Sequence, residues 1–216
     1  MESSNLEFYR NSIDYILSVQ NKDGSIPWEL DEKLDPWDHI EAAMGLSIAG
    51  KKDEAEKAFL WLSDSQLQDG SWYAEYLNSI PMTQRKETNF SAYIGTGLWH
   101  YYLIFKDKDF IENMLPTLSQ ALDFVLSMQT ENGDIYWACE EGKQILDDSL
   151  ITGSSSIYKS LECTAAILNL FDKPIESIIV SMEKLKSSIN NNPERYDRSW
   201  ESKSRYSMDW YYPILC

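Results

Sequence analysis

The chain has 216 residues, 43% of them hydrophobic, which is enough for one well-filled core and predicts a single domain over residues 1–216. Its net charge of −16 argues against nucleic acid or an anionic membrane surface as a partner, because both repel an acidic protein. The first ten residues lack the apolar core of a signal peptide, and no stretch has the ~20 apolar residues that a bilayer requires. With three scattered cysteines, the composition predicts a cytoplasmic protein without a membrane span.

Apolar residues at three- and four-residue spacing predict about eight helices and an all-α fold. The first helix ends near Gln20, and the second begins at Asp35, an N-cap followed by Pro36, and is stopped by Gly50. The later helices are predicted, in chain order, from Lys51 to Gln66, from Thr88 to Phe105, up to Gln129 with a candidate interruption at Pro116, from the Ser154–Ser156 cluster to Phe171, from Pro174, and from Ser207.

The links between these predicted helices alternate in length. Long links follow the first, third, fifth and seventh helices, whereas only a few residues follow the second, fourth and sixth. In an antiparallel array of helical hairpins, links of one class lie on one face. We therefore expect the long loops to share a mouth, and loops on a rigid scaffold are the usual place for function. These long links cover approximately residues 21–34, 68–87, 130–153 and 190–205.

Three of the long loops begin with the same turn, in which a Gln is followed three and four residues later by Asp or Asn and then Gly. An aromatic residue stands five positions before each Gln. Because the segments between the copies differ in length, the conserved unit is the helix end. The copies are Gln20–Ile26, Gln66–Trp72 and Gln129–Ile135.

The second copy, Lys57-Ala58-x-x-Trp61-Leu62-x-x-x-Gln66-x-x-x-Gly70-x-Trp72, resembles the QW repeat of squalene and oxidosqualene cyclases. Further stretches, such as the one from Asp35 to Ala43, are similar to bacterial prenyltransferase-like and terpenoid-cyclase-like proteins. The resemblance implies an α/α toroid, with inner and outer helices alternating around a cavity, and a transferase or cyclase acting on an isoprenoid. The resemblance also implies that a complete toroid of this kind consists of six pairs of helices. About eight helices therefore imply an incomplete toroid, truncated at the C-terminus or completed by a partner.

The acid and metal motifs of those families are missing from the sequence. The nearest fragment of the Asp-x-Asp-Asp acid motif of the cyclases is Asp147-Asp148, and the Asp-x-Cys element of the prenyltransferase zinc site does not occur. We therefore expect no metal site, name no cofactor, and carry over no catalytic residue from the resemblance.

The second, fourth, sixth and eighth helices are expected to line the interior, with their N-termini at the mouth. Paired carboxylates there suit acid and base catalysis, because burial and repulsion hold one protonated while the other stays ionised. The candidate catalytic residues are Asp38, Glu41, Glu87, Asp148 and Asp209. The candidate substrate-binding residues are Trp37, His39, Asn89, Ser155, Tyr158, Arg205 and Trp210.

Some of these positions also have a purely structural interpretation. Asp35 and the Ser154–Ser156 cluster are plausible N-caps, and His39 precedes an apolar helix and suits a hydrogen-bonded structural role. The repeat glutamines and Trp72 are expected to tie a helix end to its neighbour, as the resemblance implies.

Three functions stay open on the sequence alone. The aromatic content of 13% suits isoprenoid chains and sugar rings equally. The first hypothesis is an enzyme acting on an isoprenoid or isoprenoid-linked substrate, and the second is a glycoside hydrolase-like toroid using an Asp/Glu pair. The third is a non-catalytic binding scaffold.

Overall fold

The computed structural model describes residues 9–199 and 208–215. Eight α-helices lie within these ranges: α1 Arg10–Val19, α2 Pro36–Ile48, α3 Lys52–Ser65, α4 Thr88–Phe105, α5 Lys108–Ser127, α6 Ile151–Asn169, α7 Glu176–Asn191 and α8 Met208–Leu215. The long loops carry six short strands: β1 Lys33–Leu34, β2 Tyr76–Leu77, β3 Ile80–Pro81, β4 Lys86–Glu87, β5 Ala138–Glu140 and β6 Gln144–Leu146.

The helices alternate between an inner and an outer layer. The inner helices α2, α4, α6 and α8 contact one another in series, and α3, α5 and α7 each pack against the inner helix that precedes them. The prediction of an all-α toroid with about eight helices is therefore confirmed within the described residues. None of the described helices combines the length and the apolar character needed to cross a bilayer.

The glutamine of each repeat joins its own turn to the next outer helix. Gln66 Nε2 donates to the carbonyl oxygens of Gly70 (3.0 Å) and of Thr117 on α5 (2.9 Å). Gln20 makes the same pair of bonds to its turn and to α3, and Gln129 to its turn and to α7. The predicted tie between a helix end and its neighbour is confirmed in all three copies.

The glycine of each turn lies where a larger residue does not fit. Gly24, Gly70 and Gly133 have φ values of 97°, 86° and 92°, a region that L side chains rarely adopt. A Cβ on Gly70 would lie 1.9 Å from the carbonyl oxygen of Gln120 on α5, and the other two glycines approach α3 and α7 in the same way. The conserved glycine of the repeat thus allows one outer helix to pack closely against the end of the previous one.

The long loops meet on one face, as predicted. Strand β1 pairs antiparallel with β2, so the loop before α2 joins the loop before α4. Strand β4, directly before α4, pairs with β5 in the loop before α6. A parallel bridge between Ser149 and Tyr196 adds the segment after α7. The N-termini of α2, α4 and α6 are therefore held together at the mouth.

Three predicted helix features differ from the structure. Helix α5 continues through Pro116 without interruption, and α7 begins at Glu176 instead of Pro174. Helix α6 begins at Ile151, which places Ser154–Ser156 inside the helix and not at its N-cap. Ser155 Oγ donates to the Ile151 carbonyl oxygen (2.7 Å), a bond within the helix that offers a serine an alternative to capping.

Candidate functional site

The N-terminus of α2 presents a pair of neighbouring aspartates. Asp35 is the N-cap, as predicted: its Oδ1 accepts a bond from the Asp38 N–H (2.9 Å), and its Oδ2 accepts one from Trp28 Nε1 (2.7 Å). The Asp38 side chain reaches solvent. Crowding by surrounding protein atoms, the charge and hydrogen bond of Asp35, and the charge of Glu41 nevertheless raise the pKa of Asp38 to about 6. Asp38 therefore keeps its proton up to about pH 6.

Glu87 precedes α4 at the same mouth. Its Oε1 accepts a bond from Arg85 Nε (3.0 Å), and the side chain is largely buried. Burial raises the pKa of Glu87 against the opposing effect of Arg85, and the charge of Asp35 adds to the rise. Because Asp35 acts on the pKa of both Asp38 and Glu87, these carboxyls form one electrostatic group.

Glu41 is oriented by two aromatic side chains. Its Oε1 accepts bonds from Trp37 Nε1 (2.9 Å) and from the Tyr93 hydroxyl (3.3 Å). The rings of Trp37 and Tyr93 stack with centroids 3.8 Å apart and planes within 9° of parallel. This stack joins α2 to α4 and fixes the Glu41 carboxylate at its edge.

The stack forms one wall of a cavity of about 310 Å³ between the inner helices. We call this space the inner cavity. Its volume lies at the lower end of the range of ligand pockets, about 300–1,000 Å³. Its lining residues are Trp37, Tyr93, Thr96, Ser156, Lys159, Tyr211 and Tyr212.

Two other predicted binding residues line a separate, smaller cavity. Ser155 and Tyr158 border a space of about 200 Å³ beside α7, together with Lys186, Ile189, Asn190 and Pro213. Asn89 lies at the start of α4 and packs near Gly153 of α6. The predicted binding residues therefore do not form one site. Trp37 lines the inner cavity, Ser155 and Tyr158 line the smaller cavity, and Asn89 lies at a contact between α4 and α6.

His39 has the structural role that was the alternative to substrate binding. Its side chain is completely buried. Nδ1 accepts a bond from the Ile26 N–H (3.1 Å), and Nε2 donates to the Ala58 carbonyl oxygen (2.9 Å). Burial lowers the pKa of His39 to about 4. Both nitrogens are occupied by the backbone, so His39 offers no atom to a ligand.

Asp148 is also occupied by internal bonds. It is 1% exposed and accepts bonds from the N–H groups of Ser149, Arg198 and Ser199 and from the Ser199 hydroxyl. Burial alone would raise the pKa of Asp148, but these donors hold it below its usual value. The carboxylate anchors the segment after α7, which argues against its predicted use as an acid or base.

The remaining predicted residues lie at or beyond the limits of the described ranges. Arg205 lies outside the described residues, and Asp209 and Trp210 are placed only as positions on α8. Within the described ranges, no group of three or more His, Cys, Asp and Glu side chains is arranged to hold a metal ion.

Four residues that line the inner cavity were not among the predicted site residues: Tyr93, Thr96, Ser156 and Lys159. A signal for two of them was present, since Tyr93 and Thr96 follow Asn89 by four and seven residues on α4 and thus share a helical face. Residues on this face of an inner helix, beyond its first turn, are therefore predictable as candidates for lining a cavity.

No protein-family model matches the chain. The chain is 37% identical over 206 residues to the MMP endo-(1,4)-3-O-methyl-alpha-D-mannosidase of Mycolicibacterium hassiacum. The match covers 95% of this chain and 56% of that protein. The chain thus spans little more than half the length of the curated relative that it matches.

Solved structures with the same fold include several sugar-active proteins. The unsaturated glucuronyl hydrolase of Bacillus sp. GL1 superposes with a TM-score of 0.67 at 16% identity, covering 88% of this chain and 57% of the other. An alpha-amylase from Clostridium perfringens gives 0.61 at 14% identity, covering 82% and 52%. A sugar epimerase from a ruminal bacterium gives 0.65 at 11% identity, covering 87% and 56%. The chain is therefore an α/α toroid of the kind found in glycosidases, and likeness at these identities shows the fold alone.

These findings correct the assignment made from the resemblance. The interpretation of the chain as a prenyltransferase-like or terpenoid-cyclase-like transferase is wrong, because the curated relative is a mannosidase and the neighbouring folds include glycosidases. The structure explains why the repeat does not indicate the substrate. Its glutamine and glycine serve the packing of outer helices, which any toroid of this design requires whatever its cavity binds.

Proposed function

We propose that the chain forms the sugar-binding and hydrolytic part of a glycosidase that cleaves a 1,4-linked α-mannoside. The observation that supports this most is the 37% identity to the mannosidase across 95% of the chain. The aromatic inner cavity adds support, because aromatic faces suit sugar rings, and the mouth carries carboxyl groups with raised pKa values that suit hydrolysis.

Glycoside hydrolysis by the usual route needs two carboxyl groups with different protonation states. We assign Asp38 as the general acid, since its raised pKa keeps it protonated up to about pH 6. Glu87 is the second carboxylate: although burial raises its pKa, the bond from Arg85 opposes that rise and favours the ionised form needed to activate water or to attack the anomeric carbon. In this assignment Asp38 transfers its proton to the glycosidic oxygen as the bond to the leaving sugar breaks.

The test is hydrolysis of a 1,4-linked 3-O-methyl-α-mannose oligosaccharide by the full-length protein, followed by chromatography of the products. Asp38→Asn and Glu87→Gln are each expected to lower kcat by about 10²–10⁴-fold, the usual contribution of a positioned acid or base. Glu141→Gln is the matched control, because Glu141 is an exposed carboxylate of another loop at the same mouth.

The pH profile gives a second, independent measurement. The acid limb of Asp38 requires kcat/KM to fall as the pH rises above about 6, because the protonated form disappears. An absence of product from the wild-type protein, or variants as active as the Glu141→Gln control, would exclude this function. Binding of the oligosaccharide without turnover would indicate that the protein is a carbohydrate-binding scaffold and not a hydrolase.

A further inference from the structure

The polar atoms in the wall of the inner cavity are largely committed to partners within the protein. Trp37 Nε1 and the Tyr93 hydroxyl both donate to Glu41. Thr96 Oγ1 is hydrogen-bonded to Ser160 Oγ (3.0 Å), and Lys159 Nζ donates to Glu162 (2.8 Å). These side chains therefore present mainly rings and methyl or methylene groups to the cavity.

Ser156 differs from these four side chains. Its side chain is 4% exposed, it lines the inner cavity, and its Oγ finds no hydrogen-bond partner among the described residues. A buried hydroxyl without a partner is costly, by about 1–3 kcal/mol. A ligand hydroxyl in the cavity would supply the missing bond.

A largely aromatic wall that holds a buried hydroxyl without a partner among the described residues, that of Ser156, favours a particular kind of sugar. A pyranose can present one hydroxyl to Ser156 while its carbon-bound hydrogens face the rings. A further hydroxyl directed at the rings would lose its bonds to water without replacement, whereas a methyl ether at that position has no proton to leave unbonded and adds apolar contact. The cavity volume of about 310 Å³ favours a single ring over a longer segment.

We infer that the inner cavity is the subsite that distinguishes an O-methylated pyranose from its unmethylated counterpart, with Ser156 binding a sugar hydroxyl and the aromatic wall receiving the methyl ether. The inference deepens the proposed function and rests on it for the choice of mannose and of the 3-O-methyl position. Ser156 is a specificity residue in this scheme and takes no part in proton transfer.

The test measures binding separately from hydrolysis. Isothermal titration calorimetry of the full-length protein uses two probes, methyl 3-O-methyl-α-D-mannopyranoside and methyl α-D-mannopyranoside. We expect the methylated probe to bind about tenfold more tightly, and Ser156→Ala to weaken its binding about tenfold, the effect of one lost hydrogen bond to a neutral group.

Ser154→Ala is the matched control for Ser156→Ala. Ser154 lies on the same helix, is 1% exposed and also lacks a partner for its hydroxyl among the described residues, but it does not line the inner cavity. We expect Ser154→Ala to leave both affinities unchanged. Tyr211→Ser, which replaces part of the aromatic wall by a polar group, is expected to reduce the preference for the methylated probe about threefold or more.

The outcomes separate the two proposals. Equal affinity for the two probes in the wild-type protein, or equal effects of Ser156→Ala and Ser154→Ala, overturns the inference even if the oligosaccharide is hydrolysed. Discrimination between the probes that depends on Ser156, in a protein without hydrolytic activity, supports the inference and overturns the proposed hydrolysis alone.

Discussion

The outer turns and the inner cavity differ in one buried polar group. In each outer turn, the glutamine amide donates to two backbone carbonyl oxygens and the glycine allows the next helix to approach. In the inner cavity, the Ser156 hydroxyl has no hydrogen-bond partner in the part of the chain that the structure describes, although the residue is almost completely buried. The amides of the outer turns are thus satisfied internally, whereas the Ser156 hydroxyl, which is buried and lines the inner cavity, is available to a ligand.

The largest effect is expected at the close approach between outer helices. Gly70→Ala should destabilise the protein by about 3 kcal/mol or more, because it combines an unfavourable φ with a Cβ that overlaps the Gln120 carbonyl oxygen. Gly50→Ala is the control, since Gly50 also has a positive φ of 73° but a Cβ added there would meet no atom within 4 Å. It should cost only about 1–2 kcal/mol. Urea unfolding that gives equal losses would refute the packing role of the repeat.

The glutamine tie is expected to contribute somewhat less. Gln66→Ala should lower the free energy of unfolding by about 2 kcal/mol, because two carbonyl oxygens lose their shared donor. Gln68 stands two residues later in the same turn and is exposed. Gln68→Ala should change stability by about 0.5 kcal/mol or less. If both variants unfold at the same urea concentration, the amide bonds do not stabilise the toroid.

His39 extends the comparison to pH, because it lies in the core behind the mouth. Its folded pKa of about 4 is below the ordinary value of 6.5, so the unfolded chain binds a proton that the folded chain excludes. The contribution of His39 is therefore fully present above pH 6.5 and is lost as the pH falls toward 4, at up to about 1.4 kcal/mol per pH unit. His39→Gln should flatten this dependence in denaturation measured from pH 7.5 to 4.5. Parallel curves for the two proteins would contradict the neutral, buried state of His39.

The smallest effect is expected at the cavity wall. Tyr93→Phe removes a hydroxyl that makes a long bond of 3.3 Å to the exposed Glu41 but keeps the ring on Trp37, so stability should change by about 0.5 kcal/mol or less. Tyr93→Ala also removes the stacked ring, which should cost at least about 1 kcal/mol more. Equal melting temperatures for Tyr93→Phe and Tyr93→Ala would mean that the stack does not hold α4 against α2.

The parts of the fold that depend on local or repeated signals were predictable from the sequence. The Gln66 turn has a fixed spacing in three copies, and Asp35 precedes a proline at a helix start, so both roles follow from neighbouring residues. The Ser154–Ser156 cluster was assigned as a cap because serine favours N-caps, but the helix begins at Ile151 and hides the serines inside the toroid. Local propensity was overridden there by packing.

The candidate site was harder to predict because its contacts join distant segments. The donors that occupy Asp148 include Arg198 and Ser199, about 50 residues later in the chain. Tyr93 and Ser156 lie on different helices, and both line the inner cavity. A sequence shows which residue types are available for chemistry, but the occupancy of each polar atom is decided by these long-range contacts.

The junction between successive hairpins determines which segments of such a protein can change in length during evolution. Each tie is made by one glutamine and one glycine on the outside of the ring, whereas the segments that follow them lead to the mouth and differ in length. Residues can therefore be inserted into or removed from a mouth loop without altering the contact that stacks one hairpin on the next. A ring assembled in this way can acquire a new substrate while its framework stays the same.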